Sequence, residues 1–182
     1  MSCLLLRIVN GRDYLRTDAI SQAAARIVLA ALTPTNRLIM RVALATGLRI
    51  GDVVALRATA VDKRRCTVRE AKTGKTRRIY WPKDLWLDLR RWRGQEWLFP
   101  GRLDPGKHWT RQAVWRDVKR AAKAFRLSGN LAPHSARKTY AQQIAAHDGQ
   151  EAARRKLGHA DVATTLIYTL ARTVDLDKRG LP

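Results

Sequence analysis

The stretch Cys66–Pro82, CTVREAKTGKTRRIYWP, decides how the rest of this chain is read, because the period of its apolar residues changes there. CTVREAK and TRRIYWP each alternate between side chains of opposite character. They flank Thr73-Gly74-Lys75, a tight turn with glycine available for a left-handed conformation. That pattern predicts a β-hairpin. On both sides the spacing is helical instead. Upstream, Ile20, Ala24, Ile27 and Ala31 recur at steps of three and four after Asp18, a candidate N-cap. Pro34 closes that helix, a second runs through RLIMRVALAT to Gly47, and a short third fits GDVVALR. Downstream, Asp84 can cap a helix carrying Leu85, Leu89 and Trp92. After the loop PGRLDPGKH, Thr110 can cap a longer one with Val114, Val118, Ala121 and Phe125. Three further helices fit 134–147, 150–157 and 161–171, while residues 1–16 read as a tail or a short strand. The expected fold class is mainly α with one small antiparallel β-sheet, α+β in the broad sense.

Composition narrows what such a domain can meet. The chain has 182 residues, 46% of them apolar, which is globular rather than disordered. Its 36 Lys and Arg stand against 15 Asp and Glu, a formal net charge of +21. An excess of that size costs self-repulsion unless an anionic partner offsets it, and nucleic acid fits better than a membrane surface. The cations are spread along the chain, as in Arg64-Arg65, Arg77-Arg78, Arg90-Arg91 and Arg154-Arg155-Lys156, which suits a broad cleft. Cys3 and Cys66 share no close spacing, so no disulfide framework or cysteine zinc site is expected. No His-x3-His or His-Glu pairing appears, and neither a metal nor another cofactor is assigned. No apolar run reaches the length of a signal peptide core or a membrane span; a cytoplasmic, nucleoid-associated protein is expected.

Several polar residues recur at spacings that share a helix face. ALATGLRIGDVVAL sets Arg49 and Asp52 three apart at the opening of a helix, and PHSAR does the same for His134 and Arg137 just after Pro133. LGHADVATTLIYTL places His159 before Tyr168. Each piece alone has an ordinary structural reading: a satisfied core histidine, a solvated arginine, an aromatic packed beside Ile167. His108 and His147 lie outside these segments and read as surface residues, and Trp81, Trp86, Trp92, Trp97 and Trp109 read chiefly as packing.

Taken in order, ATGLRIGDVVAL, AKTGKTRRIYWP, PHSARKTYA and LGHADVATTLIYT resemble the conserved boxes of the tyrosine recombinases, the phage integrase family, from about residue 18 to residue 171. The resemblance implies the catalytic-domain fold of that family over 18–182, after a tail at 1–17. Against the family's pattern the separate N-terminal core-binding domain is expected to be absent here, the chain being either a fragment or one of the small single-domain members such as those that switch fimbrial promoters. The resemblance also implies site-specific cutting and rejoining of double-stranded DNA through a 3′-phosphotyrosyl intermediate, without metal or ATP. Tyr168 would be the nucleophile, and Arg49 and Arg137 would grip the non-bridging phosphate oxygens. His134 would accept a proton or a hydrogen bond near the tyrosine, and His159 would donate to the phosphate. Lys72 would protonate the leaving 5′ oxygen, although Lys75 in the same turn could serve. Asp52 would brace the site. Implied partners are a tetramer of this chain on DNA, monomeric when free, and DNA-bending accessory proteins; the short tail after Tyr168 offers few anchors for exchange between subunits. Two other readings remain: a DNA-binding regulator with this fold but little strand exchange, and a solitary nicking-closing enzyme of the type IB topoisomerase kind.

Overall fold

The computed structural model describes residues 21–157 of the chain. Among these residues are seven α-helices and one two-stranded antiparallel sheet: α1 (Gln22–Ala31), α2 (Pro34–Thr46), α3 (Ile50–Val54), β1 (Arg65–Arg69), β2 (Thr76–Tyr80), α4 (Lys83–Trp92), α5 (Arg111–Ala124), α6 (Pro133–Asp148) and α7 (Gln150–Leu157). This is the expected fold class, with the hairpin where the change of period placed it. The helix expected over 161–171, the tail at 1–17 and the boundary at 18 lie outside the described residues.

Helix starts follow local hydrogen-bond chemistry. The first helix is capped by Ser21, whose hydroxyl accepts from the Ala24 N–H, not by Asp18. Thr110 caps α5 as expected, accepting from Ala113 N–H at 3.1 Å. Asp84 is not a cap: Pro82 holds that position and Asp84 sits in the first turn of α4, where its charge favours the helix N-terminus. Arg41 on α2 reaches it and Asp88, tying α4 to α2. The short helix in GDVVALR starts at Ile50 and stops at Val54, and a 3-10 turn over Ala58–Val61 leads into β1.

Helix α2 is the central strut. Leu38, Ile39, Val42 and Ala43 make its buried stripe, and it packs against α1, α3, α5 and especially α6. Burying one such aliphatic side chain is worth about 1.5–3 kcal/mol. Its end is fixed twice. Gly47 takes a left-handed φ of 64° and donates to Ala43 O at 2.9 Å. A Cβ there would also lie 2.3 Å from Cδ1 of Tyr140 on α6, so only glycine lets the two helices approach. The hairpin pairs Val68 with Arg77 and Arg69 with Thr76. Its inward face closes on Trp81, whose indole N–H donates to Ala60 O at 2.9 Å.

Candidate active site

Four chain segments meet where α2 ends. Gly47 turns the chain so that Arg49 becomes the N-cap of α3 and Asp52 falls in its first turn. The hairpin turn over 70–75 lies alongside, closed by Glu70 N–H to Lys75 O and Gly74 N–H to Glu70 O, both 2.9 Å, with Gly74 at φ 65°. Asp52 is buried and its Oδ1 accepts from Ala71 N–H at 3.0 Å, pinning the residue next to Lys72 onto α3. Helix α6 enters from the other side. Pro133 occupies its first turn, and Ser135 Oγ accepts the Ala132 N–H that the helix leaves unpaired.

At the centre lies Glu70, with no exposed surface. Arg49 Nη1 pairs with its Oε2, to which Thr73 Oγ1 also donates at 2.9 Å. Its Oε1 takes Arg77 Nη1 at 3.3 Å and Arg137 Nη1 at 3.5 Å. The same arginines hold the end of α2. Arg77 Nη2 donates to Thr46 O at 2.7 Å, and Arg137 Nη1 donates to Gly47 O at 2.6 Å. Arg137 Nη2 donates to Leu157 O at 2.7 Å, which anchors the end of α7. Arg137 is therefore 4% exposed, whereas the side chain of Arg49 is 25% exposed.

The charges act on one another. Burial raises the pKa of Glu70, but hydrogen bonds from Thr73 and Arg49 and the charges of Arg137 and Arg49 outweigh it and hold the carboxyl below its ordinary value. Arg137 is pulled down to about 10, first by burial and then by Arg49, and stays charged at neutral pH. His134 is lowered by burial and then by Arg137, Lys138, Arg49 and Lys72, so its imidazole is neutral and can accept a proton at pH 7. Of the residues singled out in the sequence, Arg49 and Arg137 share a partner in Glu70, and Asp52 holds the backbone next to Lys72. His159 and Tyr168 lie outside the described residues.

Glu70 and Arg77 were missed by the sequence reading, yet the strand period carries both. Val68 faces inward, so Glu70, two residues on, faces inward too. Arg77 is the cross-strand partner of Val68 and so shares that face. A buried carboxylate among so many cations has to be paired. The tryptophans Trp97 and Trp109 have their indole N–H groups bonded within the protein, to Gly106 O at 3.0 Å and Asn36 Oδ1 at 2.8 Å.

The fold and this cluster define a helical domain with several cations gathered at the mouth of a hairpin, and known proteins share the fold. The model of the phage integrase family matches residues 14–173, and the chain belongs to that family. It is 30% identical to tyrosine recombinase XerD of Pseudomonas aeruginosa over 186 aligned positions, covering 90% of this chain and 62% of that protein. Among solved structures it is similar to a lambda integrase dimer bound to a COC′ core site, with a TM-score of 0.72, 21% identity, and 85% and 48% of the two chains covered. The catalytic domain of bacteriophage HP1 integrase matches with a TM-score of 0.65 and 20% identity, over 85% of this chain and 88% of that one. The chain thus spans about half to three-fifths of the length of the curated relatives it matches.

Proposed function

We propose that this chain is the catalytic domain of a site-specific recombinase that cuts and rejoins double-stranded DNA through Tyr168. The observation that carries the reading is that Arg49 and Arg137, from the start of α3 and from α6, meet on the one carboxylate of Glu70 beside the hairpin turn that carries Lys72. Membership of the phage integrase family and the likeness to a DNA-bound integrase support it.

In the proposed reaction the phenol oxygen of Tyr168 attacks the scissile phosphorus, and its proton passes to the neutral imidazole of His134. The P–O5′ bond breaks, Lys72 gives a proton to the leaving 5′ oxygen, and the 3′ end stays on Tyr168 as a phosphotyrosyl ester. Attack by a 5′-hydroxyl reverses these steps and releases the enzyme, so bond energy is kept for religation. Arg49, Arg137 and His159 stabilise the negative charge that grows on the phosphate oxygens. One such donor is worth about 2.7–4 kcal/mol. Asp52 holds the hairpin turn, and with it Lys72, against α3. Paired sites would be joined by a homo-oligomer, a tetramer at the stage of strand exchange.

The test uses a pool of nicked duplexes with randomised arms, scored for protein–DNA adducts that survive denaturation. Wild type is expected to form them and Tyr168→Phe to form none. An adduct with Tyr168→Phe would assign the nucleophile elsewhere, and no adduct with wild type would remove the recombinase reading. Lys72→Ala against Lys75→Ala identifies the acid: the correct one is restored by a nicked substrate with a 5′-bridging sulfur, whose leaving group needs no proton.

A further inference from the structure

Glu70 performs no step of that chemistry, yet it touches three arginines of the site. Its carboxylate is reached by Arg49 on one oxygen and by Arg77 and Arg137 on the other, with Thr73 adding a hydrogen bond. It leaves the hairpin at the end of β1 and meets side chains from the start of α3, from β2 and from α6. Two of these arginines also grip consecutive carbonyls, Thr46 and Gly47, where α2 ends. One carboxylate therefore sets the spacing of guanidinium groups that belong to three separate elements.

We infer that Glu70 is the positioning residue of the phosphate clamp, fixing Arg49 and Arg137 relative to each other before DNA arrives. The inference rests on the recombinase reading and deepens it. Packed cations repel, and without an anion between them Arg49, Arg77 and Arg137 would each move to the geometry solvent favours. A clamp aimed in advance loses nothing to reorganisation when charge develops on the phosphate. Glu70 is 0% exposed and Arg137 4%, while the side chain of Arg49 is 25% exposed, so the open part of the cluster is a guanidinium and not the carboxylate. A carboxylate standing in for the phosphate, to be displaced by it, would itself have to be open to solvent.

The test compares wild type, Glu70→Gln and Glu70→Asp in the nicked-duplex assay, alongside binding to a random-sequence duplex. Misplacing a reacting group by an ångström costs about 100-fold, and Glu70→Gln is expected to slow adduct formation by that order. Its affinity for random duplex should be unchanged or tighter, since a negative charge has been removed. Glu70→Asp keeps the charge and should recover much of the rate. A rate for Glu70→Gln within about threefold of wild type, or above it, would overturn the inference, as would Glu70→Asp no faster than Glu70→Gln. Equal losses in rate and in random-duplex affinity would also overturn it, by making Glu70 a general support of the fold. If Glu70→Gln does not fold, Thr73→Val decides: loss of one hydrogen bond to the carboxylate should slow the reaction about fivefold, and a wild-type rate rejects the idea. Nuclear magnetic resonance of the arginine Nε–H groups needs no substrate. Ordered Arg49 and Arg137 signals that vanish in Thr73→Val or Glu70→Gln support positioning and signals that persist refute it, even where absent adducts have removed the recombinase reading alone.

Discussion

Two buried carboxylates organise opposite ends of this domain. Asp117, on α5, accepts from Thr33 N–H and Oγ1 at 2.9 Å each, from Asn36 Nδ2 at 2.8 Å, and from Arg120 Nη2 at 2.6 Å. It thereby fastens the N-terminus of α2 to α5, with Arg120 continuing to Ala31 O at the end of α1. Burial raises the pKa of both acids, and in both the hydrogen bonds win and hold them ionised. The surroundings differ. Asp117 meets neutral donors and one arginine, so its charge is balanced. Glu70 meets three arginines, so among the described residues its ion pairs set three positive charges against one negative. A balanced hub serves the fold, whereas an unbalanced one holds charge ready for a ligand.

Breaking the two hubs should separate stability from chemistry. Asp117→Ala leaves Thr33, Asn36 and Arg120 without their acceptor and is expected to lower stability by about 3–5 kcal/mol, read as a shift in the urea midpoint. Adduct formation per folded molecule should stay at the wild-type rate. A large loss of rate in fully folded Asp117→Ala would abolish the distinction between the hubs. Gly47→Ala comes next. It forces a left-handed φ on alanine and drives a Cβ into Tyr140, for about 2–4 kcal/mol of lost stability. Because Gly47 O holds Arg137, this variant should lose adduct rate as well as stability. Stability lost with the rate unchanged would show that the end of α2 does not set Arg137.

Acid sharpens the same contrast. His134 has a folded pKa below its ordinary 6.5, so the unfolded chain binds the proton first and stability falls as pH drops from about 6.5 through the folded value. Glu70 and Asp117 lie below 4.5 and 3.8, so the stability they contribute is complete above those values and is lost as pH falls through the folded pKa of each. The acid limb of stability should therefore have two parts. His134→Asn should remove the upper part and leave the lower. Unfolding midpoints measured across the pH range check this, and an unchanged limb in His134→Asn would contradict the lowered pKa.

How much of this was legible in the sequence depended on the range of the interaction. The hairpin, α5 and its Thr110 cap are written locally, in a two-residue period, a Gly-containing turn and a hydroxyl three residues before the N–H it accepts. Asp84 and Asp18 are the residue type that suits a cap, but Ser21 and Pro82 hold those positions. The i, i+3 spacing singles out Arg49 with Asp52 and His134 with Arg137, and the fold sets Arg49 and Arg137 on one carboxylate, while Lys72 rests on the resemblance to the family. Glu70 is hard to single out because its partners come together only after the hairpin, α3 and α6 have met: Arg65, Thr67 and Arg69 signal solvent and cations, and the inward register of one acid is easily lost among them. His159 and Tyr168 rest on the resemblance to the family.

The smallest effect is expected where the same residue types meet in water. Arg57 pairs with Glu96 just as Arg49 pairs with Glu70, but both side chains are about half exposed, at 55% and 53%. The Arg57 guanidinium also lies 3.7 Å from the centre of the Trp97 ring, whose edge contact with His108 extends the stack. In solvent the ion pair is worth under about 1 kcal/mol and salt screens it, while the cation–π contact adds about 0.5–1 kcal/mol. Arg57→Gln should therefore cost about 1 kcal/mol, part of which disappears at high salt. Glu96→Gln leaves the ring contact intact and should cost less, with nearly all of that loss salt-sensitive. Neither should alter adduct formation. Urea titrations at low and high salt separate the two contributions. A cost for Glu96→Gln approaching that of breaking the Asp117 hub would mean that burial and shared partners are not what distinguish the deep carboxylates from this surface pair.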